Sequence, residues 1–127
     1  MMVALGAEAR AWLNADPDDE TQAELRALID AAEEGDTTAL AERFVGRLQF
    51  GTAGMRGELG AGPMRMNRVT VRRATAGLVA YLLAAVPDAA ERGIVIGYDA
   101  RRNSDVFARD TARVAAALGI RSMLLAR

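Results

Sequence analysis

Residues 93–98 read Gly-Ile-Val-Ile-Gly-Tyr, a β-branched apolar run between turn-forming residues. Such a run predicts a short buried strand. A second apolar run begins at Ser122, and the segment between the two runs predicts a helix that is capped by Asn103 or Ser104 and ends at Gly119. Strand, helix and strand with short joints predict a βαβ unit with a parallel pair and a right-handed crossover. The buried face of that helix would consist of Phe107, Thr111, Val114 and Leu118.

The residues before this unit predict helices on both sides of a glycine-rich loop. One helix covers residues 4–14, and a short one follows Asp36, bringing Leu40 and Phe44 together. Residues 51–62 contain five glycines, which exclude a regular helix. Asn67 is expected to cap the next helix, which Pro87 ends. That helix would bury Val71, Ala74, Leu78 and Leu82.

A further helix is marked by Thr21-Gln22-Ala23-Glu24, which fits a capping box in which Thr21 and Glu24 satisfy free amides reciprocally. Gly35 is expected to end this helix. Its buried face would consist of Leu25, Leu28, Ile29 and Ala32.

Composition excludes several classes of function. The chain has 127 residues and a net charge of −1, which gives no electrostatic case for a nucleic-acid or membrane partner. It has no His and no Cys, so disulfides, thiol nucleophiles and an imidazole base are excluded within it. The N-terminus lacks a signal-peptide pattern and no apolar run is long enough to span a membrane, so we expect a cytoplasmic protein.

The loop after the first strand, Tyr98-Asp99-Ala100-Arg101-Arg102-Asn103-Ser104, is the first candidate site. Ligands of open α/β sheets bind at the carboxyl ends of the strands. Guanidinium groups and the N-terminus of a helix both suit phosphate. The alternative is scaffolding, with Asp99 paired to Arg101 and Ser104 acting only as a cap.

The second candidate site is the loop Phe50-Gly51-Thr52-Ala53-Gly54-Met55-Arg56-Gly57. Glycines such as Gly54 free backbone amides to face a ligand, Thr52 offers a hydroxyl and Arg56 a charge, which together could hold a phosphate. A tight structural turn with a solvated arginine fits the pattern equally well. Neither a Walker A loop nor a complete Gly-x-Gly-x-x-Gly pattern is present.

Residues 50–57 resemble the Phe-Gly-Thr-(Ser/Ala)-Gly-x-Arg-Gly segment of α-D-phosphohexomutases, the phosphoglucomutase and phosphomannomutase family. Residues 96–104 resemble that family's Gly-x-Asp-x-Arg-x-x-Ser segment, in the same order and at the same spacing. Residues 12–18 and 64–67 resemble the extended N-terminus of the branch that acts on glucose or pentose phosphates. The match covers nearly the whole chain.

The resemblance implies a fold and a reaction. Residues 1–46 would be a helical N-terminal extension, and residues 47–127 a partial α/β/α domain with an incomplete sheet. In the family a phosphoserine exchanges phosphate with a sugar monophosphate through a sugar bisphosphate, assisted by Mg²⁺. By their positions in the family's motif, Arg56, Thr52 and Gly54 would lie at the substrate phosphate. It places Asp99, Arg101 and Ser104 in support of their loop.

The departures from the family pattern limit this expectation. The Thr-Ala-Ser-His-Asn-Pro phosphoserine segment and the Asp-Gly-Asp magnesium loop do not occur in the sequence. We therefore expect a fragment of a sugar-phosphate mutase, an isomerase, that contains neither the catalytic serine nor the metal ligands. It would be inactive alone, would take sugar phosphates and the remaining domains as partners, and would leave an apolar flank exposed. The alternative is a non-catalytic phosphate- or partner-binding module.

Overall fold

The computed structural model describes residues 2–52 and 54–125, which form two compact units, Met1–Thr70 and Val71–Arg127. The elements in chain order are α1 Met2–Ala15, α2 Asp19–Glu33, α3 Thr38–Phe44, β1 Phe50–Gly51, β2 Gly54–Met55, α4 Arg68–Ala85, α5 Ala89–Arg92, β3 Ile94–Ile96, α6 Ser104–Ala117 and β4 Ser122–Leu124. None of the helices in these residues is long and apolar enough to cross a membrane.

The first unit is built around one apolar cluster that α1, α2 and α3 share. Trp12 and Phe44 meet edge to face, with ring centroids 6.0 Å apart. Gly35 has φ +111°, which explains why α2 ends there. The predicted helices and their apolar faces are confirmed in this unit. The buried cluster comprises Ala9, Trp12, Leu25, Ile29, Leu40, Phe44, Ala61 and Val69, and Leu28 and Ala32 pack against it.

The predicted capping box at the start of α2 is wrong. The helix begins earlier, at Asp19, because the Asp18 carboxylate accepts a hydrogen bond from the Glu20 amide at 2.9 Å. The Thr21 hydroxyl donates instead to Asp16 at 2.6 Å. The Glu24 carboxylate accepts from the Ala61 amide, far along the chain, at 2.6 Å.

The second unit contains the predicted βαβ arrangement. Strands β3 and β4 pair in parallel, with Val95 opposite Met123, and α6 connects them. Gly119 has φ +91° and ends the helix as expected. The α/β fold class, the parallel pair and the incomplete sheet are therefore confirmed. The core of this unit comprises Val79, Ala89, Ala115 and Ile120, with Leu82, Val86 and Ile94 packed against it.

The faces predicted for α4 and α6 need correction. In α4, Leu78 is 48% exposed and Val79 is fully buried. In α6, Leu118 is 47% exposed, and the buried positions are Ala108, Asp110 and Ala115. The prediction that Asn103 or Ser104 caps α6 is confirmed in position, but no side-chain hydrogen bond makes the cap. Asn103 occupies the cap position with φ +66° but its side chain makes no capping bond, and Ser104 Oγ accepts from the Asp99 amide instead.

The strand pair presents an apolar face to solvent. Val95 is 61% exposed, and Met123, its neighbour across the ladder and therefore on the same face, is 38% exposed. The strand is thus buried on one side only, in contrast to the fully buried strand predicted, and the expected exposed apolar flank is present. The chain passes from the first compact unit to the second between residues 70 and 71. This division does not test the predicted domain boundary between residues 46 and 47, which stays a prediction.

Candidate functional site

The glycine-rich segment folds into a small β-hairpin. Strands β1 and β2 pair antiparallel, with Phe50 opposite Met55 and Gly51 opposite Gly54. Residue 53, part of the predicted loop, lies outside the described residues. The hairpin stands at the surface, where Thr52 is exposed and the Phe50 side chain is 69% exposed. The segment therefore presents its backbone and side chains outward and buries little of itself.

Arg56 follows the hairpin directly and is exposed. In the part of the chain that the structure describes, its guanidinium makes no hydrogen bond or ion pair, and neither does the Thr52 hydroxyl. An unpaired guanidinium keeps its fork of donors available for a phosphate. This arrangement is compatible with both interpretations of the loop, a phosphate cradle and a structural turn with a solvated arginine, so the site residues stay predictions.

Gly54 occupies a backbone conformation that favours glycine. Its φ is +101°, while a Cβ placed on it would meet nothing within 4 Å. We therefore expect Gly54→Ala to strain the hairpin through the backbone alone, by about 1–2 kcal/mol. In the full-length protein this should lower turnover while thermal stability falls by only a few degrees. Gly77→Ala is the control, because Gly77 is also uncrowded and has no unusual φ. Equal turnover of the two variants would contradict the prediction.

The chain that follows the hairpin is held by polar side chains. The Glu24 carboxylate accepts from both the Ala61 amide at 2.6 Å and Arg43 Nη1 at 2.7 Å. Arg43 Nη1 also donates to the Ala61 carbonyl at 3.2 Å. The buried Asn67 amide donates to the carbonyls of Gly60 and Gly62, both at 2.8 Å. We call Glu24, Arg43 and Asn67 together the loop clamp.

Sequence patterns gave no sign of the loop clamp as a set. The local pattern assigned Glu24 and Asn67 to helix caps, and Asn67 does accept from the Thr70 amide at 3.0 Å. Nothing near Arg43 in sequence indicates that it contacts Ala61. The signal that points toward it is the number of glycines in residues 51–62, because glycine-rich backbone near buried elements needs partners for its amides and carbonyls.

A second ion pair, between Arg65 and Glu42, lies next to the loop clamp in sequence. Arg65 Nη2 lies 2.5 Å from a Glu42 carboxylate oxygen. The hydrogen bond from Arg65 holds the pKa of Glu42 below its ordinary value, and the same bond raises the pKa of Arg65. Both groups therefore stay charged near neutral pH.

The second candidate loop, in the other unit, is braced from within. The Asp99 carboxylate accepts from the Arg101 amide at 3.0 Å and lies 3.1 Å from Arg101 Nε. Ser104 Oγ accepts from the Asp99 amide at 3.1 Å. The pairing of Asp99 with Arg101 is the one that the scaffolding interpretation predicts. Arg101 is nevertheless 89% exposed in this pair.

The predicted site residues thus form two groups. Thr52 and Gly54 lie on the hairpin of the first unit and Arg56 directly follows it, whereas Asp99, Arg101 and Ser104 lie together in the second unit. Among residues 2–52 and 54–125, acidic side chains form no group of three or more that could hold a metal ion. The residues in these ranges therefore do not fit a magnesium site.

Residues 47–126 match the family described as phosphoglucomutase/phosphomannomutase, alpha/beta/alpha domain I. The chain belongs to this family. Both loops lie inside the part of the chain that matches domain I of the mutases.

Curated relatives carry the names of sugar-phosphate mutases. The protein named "Probable phosphoribomutase" in Schizosaccharomyces pombe is 46% identical over 103 residues, 81% of this chain and 17% of its own length. The mouse protein named "Phosphopentomutase" is 37% identical over 118 residues, 91% of this chain and 18% of its own. The Staphylococcus saprophyticus protein named "Phosphoglucomutase" is 43% identical over 81 residues, 64% of this chain and 14% of its own.

The chain spans less than a fifth of the length of these phosphomutase relatives. No solved structure matches it. The chain is therefore assigned to the mutase family by sequence and to the α/β class by its own strand pairing.

Proposed function

We propose that the protein carrying this segment is a sugar-phosphate mutase that moves phosphate between carbon 1 and the terminal carbon of a hexose or pentose. The observation that carries the proposal is the exposed hairpin followed by Arg56, whose guanidinium has no partner in the described part of the chain. The names of the relatives, which include pentose and glucose mutases, support this class of substrate.

In the proposed reaction a phosphoserine outside this segment gives its phosphoryl group to the free hydroxyl of a sugar monophosphate. The bisphosphate formed reorients and returns its other phosphate to the serine, so that the isomer leaves and the phosphoserine is restored. Arg56 would donate hydrogen bonds to the equatorial oxygens that bear the charge in transfer. Thr52 and the hairpin backbone would hold the phosphate beside it, and Asp99, Arg101 and Ser104 would support their loop.

A sugar bisphosphate activator, Mg²⁺, the remaining domains of the parent and a cytoplasmic location belong to the same proposal. The ligands for Mg²⁺ would lie in the remainder of the parent. Nothing in the proposed roles of Arg56 and Thr52 depends on that ion.

The proposal is tested on the full-length protein. Glucose 1-phosphate and ribose 1-phosphate are supplied separately, each with its bisphosphate, and formation of the terminal phosphate is followed. Turnover of either sugar supports the proposal, and phosphopeptide mapping should find one phosphorylated serine. Binding of both sugar phosphates without turnover would contradict it and favour the alternative, a non-catalytic phosphate- or partner-binding module.

The 127-residue chain assayed alone should show no turnover, because its sequence contains no Ser-His-Asn-Pro segment. The assay uses glucose 1-phosphate with its bisphosphate at the concentrations that saturate the full-length protein. The full-length protein is the positive control, and buffer gives the background. Turnover above that background by the chain alone would show that the absent serine is not essential.

A further inference from the structure

A closed set of polar contacts fixes the peptide groups of Ala61, a fully buried residue. Its amide donates to the Glu24 carboxylate at 2.6 Å and its carbonyl accepts from Arg43 Nη1 at 3.2 Å. The carboxylate and the guanidinium also bind each other at 2.7 Å. Three groups from separate parts of the sequence therefore hold one another in a single geometry.

The backbone on both sides of Ala61 is shaped to this contact. A Cβ at Gly60 would lie 3.3 Å from the Glu24 carboxylate and 3.4 Å from Arg43 Nη1. Gly62 has φ +94°, and a Cβ there would lie 3.1 Å from the Arg43 Cβ. A Cβ at either glycine would require its neighbours to shift by a few tenths of an ångström, so glycine lets the chain lie close to Glu24 and Arg43 without that shift.

The clamped backbone continues directly from the hairpin. Between Arg56 and Gly60 the chain is held twice: Gly57 lies against Leu48, where a Cβ would come within 2.7 Å of the leucine methyl, and the Glu58 carbonyl accepts from the Met66 amide at 2.7 Å. The hairpin itself is exposed and short. Its position relative to the helices of the first unit therefore depends on the chain on either side of it, where the Leu48 amide before the hairpin also donates to the Pro63 carbonyl at 3.0 Å.

We propose that Glu24 and Arg43 are positioning residues that set where Arg56 points, so that the helical extension takes part in phosphoryl transfer without touching the substrate. The inference rests on the proposed function. A guanidinium aimed at a transferring phosphoryl group works only when it is held in place, and a displacement of about 1 Å can cost roughly a hundredfold in rate. Glu24 and Arg43 supply that restraint through Ala61.

The test is made on the full-length protein with Glu24→Ala and Glu24→Gln. We expect Glu24→Ala to lower kcat about 10- to 100-fold with little change in KM, because misplacement of Arg56 affects transfer more than substrate binding. Glu24→Gln keeps an acceptor oxygen for the Ala61 amide and should restore most of kcat. The measurements are kcat and KM far below the melting temperature, with the folded fraction determined by circular dichroism.

Glu33→Ala is the matched control. Glu33 lies on the same helix and also pairs with an arginine, Arg10, at 2.6 Å, but both side chains are more than half exposed and neither belongs to the loop clamp. Its kcat should equal that of the wild type. An inactive wild type would overturn the proposed function, whereas an active wild type with an unaffected Glu24→Ala would overturn only this inference.

Two further results would also contradict the inference. The first is a folded Glu24→Ala with a lower melting temperature but a kcat within about twofold of Glu33→Ala, which is what a purely structural role predicts. The second is an equal loss in Glu24→Gln and Glu24→Ala. If Glu24→Ala does not fold, Glu24→Asp replaces it, because the shorter side chain keeps the charge but withdraws the carboxylate from Ala61. A wild-type kcat in Glu24→Asp would then overturn the inference.

Discussion

In the full-length protein, Arg56→Ala is expected to lower kcat/KM by about a hundredfold or more, equivalent to roughly 3 kcal/mol of transition-state stabilisation. The reason lies in the site geometry. Arg56 follows the exposed hairpin, and its guanidinium donates no hydrogen bond to the part of the protein that the structure describes. Stability should change little, since an exposed unpaired side chain contributes little to folding. Steady-state kinetics with either sugar phosphate, alongside a thermal melt, measure both effects.

Two variants make the result for Arg56 specific. Arg26→Ala removes another exposed arginine, on α2, and should leave kcat/KM unchanged. Arg56→Lys keeps the charge but loses the planar fork of donors, so its loss should fall between wild type and Arg56→Ala. If kcat/KM of Arg56→Ala lay within about twofold of that of Arg26→Ala, the proposed role of Arg56 at the phosphate would be wrong.

Local signals predicted the elements well because their causes are local. Gly35 and Gly119 end their helices with positive φ, a conformation that glycine adopts without strain. The apolar run at residues 93–98 contains β3, and the parallel pairing follows from the short joints around α6. The helix ends needed only neighbouring residues, and the strand pairing needed only the order of consecutive elements, so the sequence carried enough information.

The helix faces were harder to predict because packing chose among equivalent patterns. The helix α4 carries apolar residues nearly all round, so both Leu78 and Val79 satisfy a helical spacing, and contacts alone decide that Val79 is buried. In α6 the prediction followed large side chains, whereas the buried residues include Ala115 and a carboxylate, Asp110. Asp110 is tolerated there because Arg72 binds it at 3.0 Å.

In the candidate site too, the features set by neighbouring residues were predictable and those set by distant contacts were not. The motif predicted that Thr52 and Arg56 share one loop. The structure shows that this loop is an exposed hairpin followed by Arg56, and the roles of both residues toward phosphate stay predictions. Local sequence patterns could not predict the loop clamp, because Glu24 and Ala61 are 37 residues apart in sequence. A capping-box pattern uses a glutamate for its own helix, and here a distant amide and Arg43 bind that glutamate instead.

Asn67→Ala is expected to destabilise the first unit by about 3 kcal/mol. The side chain is 2% exposed, donates to the carbonyls of Gly60 and Gly62, and accepts from the Thr70 amide. Loss of the helix cap costs about 1 kcal/mol, and a buried carbonyl left without its donor costs about 1–3 kcal/mol. Hydrogen exchange of the Thr70 amide in the full-length protein should become about a hundredfold faster.

The contribution of the amide donors can be separated from that of the cap. Asn103→Ala is the control, because Asn103 also precedes a helix but makes no side-chain cap bond, and it should cost only about 1 kcal/mol through its φ of +66°. Asn67→Asp keeps a good capping oxygen and removes both donors, so it should be at least as destabilising as Asn67→Ala, since a carboxylate would then face two carbonyl oxygens. If Asn67→Asp left the free energy of unfolding unchanged, Asn67 would act as a helix cap alone and the loop clamp would not need its amide donors.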